Sequence, residues 1–73
     1  MPTGIQYQIV KKQVESFRHL NCDVIFEIQP MSKVAAPKIV IYTPKKCYKF
    51  SDPDWDIVSR QLATLYIRIK NEH

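Results

Sequence analysis

The side chains in this sequence that are capable of chemistry are two cysteines, two histidines and a short run of aspartates. A zinc site would need Cys22, Cys47, His19 and His73 to converge, yet the intervals between them match no zinc-binding spacing. His19 and Cys22 resemble a base and a nucleophile, but a catalytic pair also needs an orienting group and an enclosed pocket, which so small a domain rarely supplies. We therefore expect no metal site, no catalytic residue and no small-molecule substrate, and we predict that the protein is not an enzyme.

The aspartates fall where a helix is predicted to begin, and this C-terminal helix, Ser51 to Lys70, is the clearest element in the sequence. Its apolar residues recur at spacings of three and four, which places them along one side of a helix: Trp55, Val58, Leu62, Leu65 and Ile69. Asp52 is the predicted N-cap and Pro53 the first helical residue. Asp54 and Asp56 then stabilise the positive end of the helix dipole. We interpret all three aspartates as structural rather than catalytic.

The composition predicts one folded domain, residues 1–73, because 45% of the residues are hydrophobic and 25% are charged. At this length one core is barely sufficient and self-association is a common remedy, so we expect a homodimer. Gly4 is the single glycine, which excludes a glycine-rich nucleotide loop, and we expect no cofactor. No apolar run approaches the roughly 20 residues of a membrane span and no signal peptide is evident, so we expect a cytoplasmic protein with reduced cysteines and no membrane partner.

The rest of the chain is expected to form a sheet that this helix covers. Ile5 to Val10 alternates apolar and polar residues, which predicts a strand. Lys11 to Leu20 suits either a helix or a further strand, because its apolar residues fit both periods. Val24 to Gln29 and Lys38 to Thr43 are predicted strands, rich in β-branched and aromatic residues. The connection between them, Pro30 to Pro37, is long for a hairpin and is expected to be an ordered excursion or a flexible flap.

Cys47 to Phe50 completes the sheet as a short strand that stops before Pro53. The predicted fold class is therefore α+β: a small antiparallel sheet of three to four strands with one C-terminal amphipathic helix packed on one face. One helix covers only one side of a sheet. Nothing in the chain would bury the apolar residues of the other side, Ile25, Val40 and Tyr42. That side is predicted to be mixed, with these members: Gln6, Gln8, Val10, Ile25, Glu27, Lys38, Val40, Tyr42 and Lys49.

The first hypothesis for function is a site for single-stranded nucleic acid on this uncovered face. The formal net charge of +4, from eleven Lys and Arg residues against seven Asp and Glu residues, favours an anionic partner. Lysines cluster in and around the sheet: Lys38, Lys45, Lys46 and Lys49. Tyr42, together with Tyr7 or Tyr48, would stack on bases while these lysines contact phosphates.

The order of elements also resembles the positive-cofactor and Whirly group of single-strand-binding proteins. In that group an Asn-Pro-Glu-Gln-Trp-like stretch leads the helix after a short strand, and the segment from Ser51 to Trp55 is similar to it. Lys45 and Lys46 partly match the glycine and lysine residues that the group carries before its helix. The resemblance covers about the last fifty residues of the chain, and it implies a surface for single-stranded DNA.

A double-stranded-RNA-binding fold, with the order helix, three strands, helix, is an alternative if Lys11 to Leu20 is helical. The second helix of that fold is expected to open with lysines, whereas the predicted helix here opens with Asp52 and Asp54. For that reason we rank this alternative below the single-strand hypothesis.

The second hypothesis is a protein-interaction module or small protein inhibitor that acts through apolar and basic surface and self-associates. It rests on the small size, the lack of recognisable chemistry and the surplus of apolar residues on both sheet faces. The back of the predicted helix, with Ile57 and Ile67, is an alternative contact surface for a second molecule. The candidate binding residues are otherwise the same in both hypotheses: Ile25, Lys38, Val40, Tyr42, Lys45, Lys46 and Lys49. Salt-dependent binding to short single strands separates the two, because phosphate contacts weaken steeply with ionic strength.

Overall fold

The computed structural model describes residues 4–72, which form two helices and a three-stranded antiparallel sheet. The elements in chain order are α1 Gly4–His19, β1 Asp23–Met31, β2 Val34–Tyr42, β3 Cys47–Ser51 and α2 Trp55–Glu72. The predicted α+β class is confirmed, but the prediction of one helix is wrong, because α1 precedes the sheet. Within residues 4–72, neither helix combines the length and the apolar character that crossing a bilayer requires.

The predicted strand over Ile5 to Val10 is wrong, because these residues form the first part of α1, and the ambiguous segment after them continues the same helix. The buried residues of α1 are spaced by four and three positions: Val10, Val14 and Phe17. This is the pattern of a helix with one side in a core. The period-two alternation depended on Ile5 and Ile9, which are 73% and 47% exposed. Their alternation therefore did not reflect a buried strand face.

The turn that follows α1 contains Asn21, whose φ of 61° lies in the left-handed region. The backbone N–H of Cys22 donates to the C=O of Phe17 at 3.2 Å, and the N–H of Asn21 donates to the C=O of Arg18 at 3.1 Å. These two bonds form the Schellman motif that closes a helix. Asparagine adopts this conformation more readily than most residues, so the chain turns here and enters β1.

β1 and β2 form a hairpin with a turn of only Ser32 and Lys33, so the predicted long connection over Pro30 to Pro37 is wrong. Both turn residues have positive φ, 51° and 65°, as in the two-residue turns that suit hairpin twist. Pro30 and Pro37 lie within the strands, at positions that alternate with the hydrogen-bonded pairs of this ladder. Their missing N–H groups therefore remove no bond between β1 and β2.

Both helices pack on one face of the sheet, and the core lies between the helices and that face. The strands contribute every second residue to it: Val24, Phe26, Ile39, Ile41, Tyr48 and Phe50. All five residues of the predicted α2 stripe are buried, which confirms that prediction. The indole N–H of Trp55 donates to the C=O of Ala35 at 2.9 Å and ties the start of α2 to β2.

α2 begins at Trp55, so Pro53 precedes the helix rather than opening it. Asp54 is the N-cap, and its Oδ1 accepts a hydrogen bond from the N–H of Asp56 at 2.9 Å. The predicted cap, Asp52, instead accepts a bond from the N–H of Asp54 at 2.8 Å, in the turn before the helix. The aspartates therefore satisfy backbone donors as expected, with the cap displaced by two residues.

Candidate binding surface

The face of the sheet opposite the helices is covered by no other element of residues 4–72. The register of the strands aligns three rows of three residues on it. We call these nine residues the open face. Its first row is Asp23, Tyr42 and Cys47, its second row is Ile25, Val40 and Lys49, and its third row is Glu27, Lys38 and Ser51. Neighbours within a row are about 5 Å apart and successive rows about 7 Å apart. The open face is therefore a compact patch of three strands by three rows.

Five of the predicted binding residues lie on the open face: Ile25, Lys38, Val40, Tyr42 and Lys49. The other two, Lys45 and Lys46, lie in the β2–β3 turn, where the hydroxyl oxygen of Thr43 accepts a bond from the N–H of Lys46 at 2.9 Å. The Nζ of Lys46 lies 5.3 Å from the ring centroid of Tyr48, which belongs to the helix side of the sheet. The structure thus groups five of these residues and separates two.

Exposure differs sharply among the apolar residues of this face. Ile25 is 45% exposed and Tyr42 is 44% exposed, whereas Val40 is only 6% exposed. Val40 was expected to have nothing to bury it, and that expectation is wrong. It lies on the central strand, where Ile25 and Lys49 flank it from both edges. The accessible apolar surface is therefore supplied mainly by Ile25 and Tyr42.

The charges of the open face sum to zero, since Lys38 and Lys49 are balanced by Asp23 and Glu27. The prediction of a basic face is therefore wrong for these nine residues. The charges are segregated, with both carboxylates on β1 and the lysines on β2 and β3. Asp23 and Glu27 were absent from the predicted binding residues. Strand alternation places Glu27 on this face, as predicted, but the pairing of Asp23 with Tyr42 is known only from the register.

Tyr42 is the one tyrosine on the open face, and all four tyrosines lie within residues 4–72. Tyr7, which was expected to stack on bases, instead lies on the core side, with its ring centroid 5.7 Å from that of Phe26 and 6.3 Å from that of Trp55. Tyr48 packs against the core as well. Base stacking on this face would therefore depend on a single ring.

Both cysteines are free thiols, with Cys47 exposed and Cys22 buried. Burial, and then the negative charge of Asp23, raise the pKa of the Cys22 thiol, which makes it a poor nucleophile at neutral pH. Within residues 4–72, no group of three or more His, Cys, Asp and Glu residues is placed to hold a metal ion. His73, the fourth residue weighed above as a zinc ligand, lies outside the described residues.

The order of elements differs from that of the group that the sequence resembles. The N-terminal helix departs from the strands-then-helix order of the positive-cofactor and Whirly group, and the observed order is that of the double-stranded-RNA-binding alternative. That alternative implies lysines at the start of the second helix, whereas Asp54 and Asp56 occupy the start of α2 here. Comparisons with protein-family models, with curated proteins and with solved structures give no match for this chain.

Proposed function

We propose that this protein is a small non-catalytic binding module that self-associates, with its open face packed against the open face of a second copy. The observation that supports this most is that both helices lie on one side of the sheet. Ile25 and Tyr42 remain uncovered on the other side, and apolar groups collected on one face are typical of protein contact surfaces. Pairing would also give so short a chain a second core.

The charges of the open face favour one arrangement of two copies. A two-fold axis parallel to β2, lying above Val40 and midway between the two open faces, places β1 of one copy over β3 of the other. Lys49 of one copy then lies over Ile25 of the other, between the carboxylates of Asp23 and Glu27. An axis perpendicular to the strands would place Lys49 against Lys49 and carboxylate against carboxylate. Charge complementarity therefore selects the first arrangement.

The proposed interface is small. Three strands about 4.8 Å apart and three rows about 7 Å apart give a plan area on the order of 300 Å², below the roughly 800 Å² per partner of a standard interface. In the outer row Lys38 meets Lys38 of the other copy, and Glu27 beside each lysine offsets the repulsion. We therefore expect a dimer that forms at micromolar concentrations and dissociates on dilution.

Ile25→Lys is expected to abolish self-association at concentrations where the parent protein is dimeric. The new ammonium group would face Lys49 of the second copy, and opposed like charges in an interface cost several kcal/mol. Sedimentation equilibrium or light scattering measures the change. Ile67→Lys is the matched control, because Ile67 is 59% exposed on α2, on the helix side of the sheet. The control should remain dimeric.

A compensating change tests the arrangement itself. Lys49→Glu in the Ile25→Lys background places opposite charges at positions 25 and 49 only if β1 lies over β3. The dimer should then be partly restored, since the new glutamate also lies between the carboxylates of Asp23 and Glu27. A parent protein that stays monomeric at its highest soluble concentration would contradict self-association. A dimer that survives Ile25→Lys would show that its interface lies elsewhere.

Single-stranded nucleic acid is the second candidate partner for this face. The residues that support nucleic-acid binding lie at one end of the open face. Tyr42 is 44% exposed, and the β2–β3 turn that follows it carries Lys45 and Lys46, both exposed. Lys49 lies in the adjacent row. A base stacked on the ring would bring its phosphates near these lysines. The zero net charge and the single ring favour the protein partner, so we rank nucleic acid second.

A short fluorescent single strand tests this second candidate in low salt. At a true site, binding should weaken steadily as salt rises, and Tyr42→Ala should weaken it by about 1 to 3 kcal/mol without changing the net charge. Lys45→Ala combined with Lys46→Ala should instead reduce the salt slope, by about one for each phosphate that these lysines neutralise. If high micromolar protein shows no binding, or if Tyr42→Ala binds as the parent does, nucleic acid is removed as a partner.

A further inference from the structure

A groove of about 380 Å³ lies between β3 and α2, on the helix side of the sheet. Its apolar lining comes from Tyr48 and Phe50, both half-buried, and from Leu65. Arg60 and Arg68 line it from α2, where both are exposed. The residues described as lining this groove include no carboxylate. It is therefore an apolar groove with two cationic groups along the helix.

Among residues 4–72, the groove borders an unpaired strand edge, because β3 pairs with β2 on one side and with no strand on the other. The N–H of Thr43 donates to the C=O of Lys46 at 2.9 Å, and hydrogen-bonded pairs alternate along an antiparallel ladder from there. Tyr48 and Phe50 are therefore the residues of β3 that bond to β2. The other residues of β3 direct their backbone N–H and C=O groups outward: Cys47, Lys49 and Ser51.

We infer that this edge and groove bind an extended acidic peptide from another protein, which adds to the sheet as a fourth strand beside β3. Arg60 and Arg68 are eight positions apart on a helix, which is about 12 Å. Carboxylates four positions apart on a strand point to the same side and are about 13 Å apart. Two acids at this spacing would meet the two arginines. An apolar residue midway between them would pack against Tyr48, Phe50 and Leu65.

The chemistry of the site distinguishes this partner from the alternatives. β3 itself carries no acid, so the β3 edge of a second copy would offer no opposite charge to Arg60 and Arg68. Nucleic acid lacks the evenly spaced N–H and C=O groups that pair with a strand edge. An acidic peptide with alternate apolar residues satisfies the edge, the apolar lining and the arginines together. The site uses the backbone edge of β3 but no side chain of the open face, and it does not depend on self-association.

The probe is a heptapeptide with fluorescein on its N-terminus, fluorescein-Ser-Glu-Thr-Val-Thr-Glu-Ser-amide, with two glutamates four positions apart and valine midway. Fluorescence anisotropy should show saturable binding. Hydrogen exchange at the backbone N–H groups of Cys47, Lys49 and Ser51 should slow in the complex, because these donors would acquire partners. A control peptide with glutamine at both glutamate positions should bind about two- to thirtyfold more weakly, the range expected for two exposed ion pairs.

Variants of the protein test whether Arg60 and Arg68 bind the acidic groups of the peptide. Arg60→Ala combined with Arg68→Ala should weaken the acidic peptide by the same factor and leave the circular dichroism spectrum unchanged, since both side chains are exposed. Arg18→Ala is the matched control, because Arg18 is an exposed arginine on α1 outside the groove. It should bind as the parent does.

A third peptide, methylated on the backbone nitrogens that face β3, separates strand addition from simple charge attraction and should not bind. The inference is overturned if the acidic peptide fails to bind at millimolar concentration. It is also overturned if the glutamine or methylated peptide binds equally well, or if hydrogen exchange does not slow at the N–H groups of Cys47, Lys49 and Ser51. Loss of the dimer in Ile25→Lys should leave peptide binding intact, so failure of one proposal is distinguishable from failure of the other.

Discussion

Phe17→Ala is expected to lower the free energy of unfolding by about 3 to 5 kcal/mol, the usual cost of emptying a fully buried phenylalanine site. Phe17 has no exposed surface, and its ring meets that of Tyr66 edge to face with centroids 5.7 Å apart. The substitution therefore removes the contact between α1 and α2 at this point and also leaves a cavity. A chain of this length has a total free energy of unfolding of roughly 4 to 11 kcal/mol. The variant is therefore expected to be only marginally stable.

Denaturant unfolding measures this loss, and Ile9→Ala is the matched control on the same helix. Ile9 is 47% exposed, so its removal should cost less than about 1 kcal/mol. In a strand over Ile5 to Val10, Ile9 would face the core and its removal would be costly. A large loss in Ile9→Ala would therefore contradict the helix. If Phe17→Ala does not fold, Phe17→Leu leaves a smaller cavity and keeps the comparison measurable.

Leu62→Ala is expected to destabilise the protein by about 2 to 4 kcal/mol. Leu62 is fully buried at the middle of α2, in the core between the helices and the sheet. Its removal should leave a cavity that α2 cannot close without disturbing its packing on either side, because Val58 and Leu65 are buried next to it along the same stripe.

The control for Leu62→Ala is Ile57→Ala, which removes a residue of similar size that is 40% exposed on the same helix. We expect it to cost far less, since much of that side chain is already in contact with water. Unfolding of both variants in denaturant decides the matter. Equal losses would mean that the buried side of α2 has been wrongly assigned.

β3 contributes to both proposed surfaces through different parts of the same five residues. Lys49 lies on the open face, whereas Tyr48 and Phe50 line the groove and the backbone supplies the edge. Successive side chains of a strand point to opposite faces. A substitution on one surface therefore leaves the side chains of the other in place, which allows self-association and peptide binding to be tested independently.

The hairpin between β1 and β2 shows how local composition misled the prediction. Pro30 and Pro37 suggested a loop, because proline removes a backbone donor from a sheet. Both occupy positions where that donor would not have joined β1 to β2. Pro37 also lies beyond Lys38, the last residue of β2 opposite β3. Whether a proline interrupts a strand depends on its place in the ladder, which is a property of the assembled sheet.

The candidate binding surface was predicted in part from strand alternation. Because alternate residues point to one side, the grouping of Ile25, Lys38 and Tyr42 followed from their positions in two strands. Asp23 was missed because it begins β1 where a turn is equally compatible with the sequence. Val40 was predicted to be exposed because its burial comes from residues on neighbouring strands, and alternation within one strand carries no information about them.

The sequence by itself determined α2, the three strands in outline and the side of α2 that is buried. Five apolar residues at helical spacing across that helix are compatible with no other regular period. Only the tertiary structure decided that Ile5 to Leu20 belongs to a helix and the turn that closes it, since a short segment that fits two periods adopts the one whose apolar side finds a partner. It also decided the register, and with it the neutral charge of the open face and the outward backbone groups of β3. These properties depend on contacts between strands that are distant in the chain, and no local pattern specifies them.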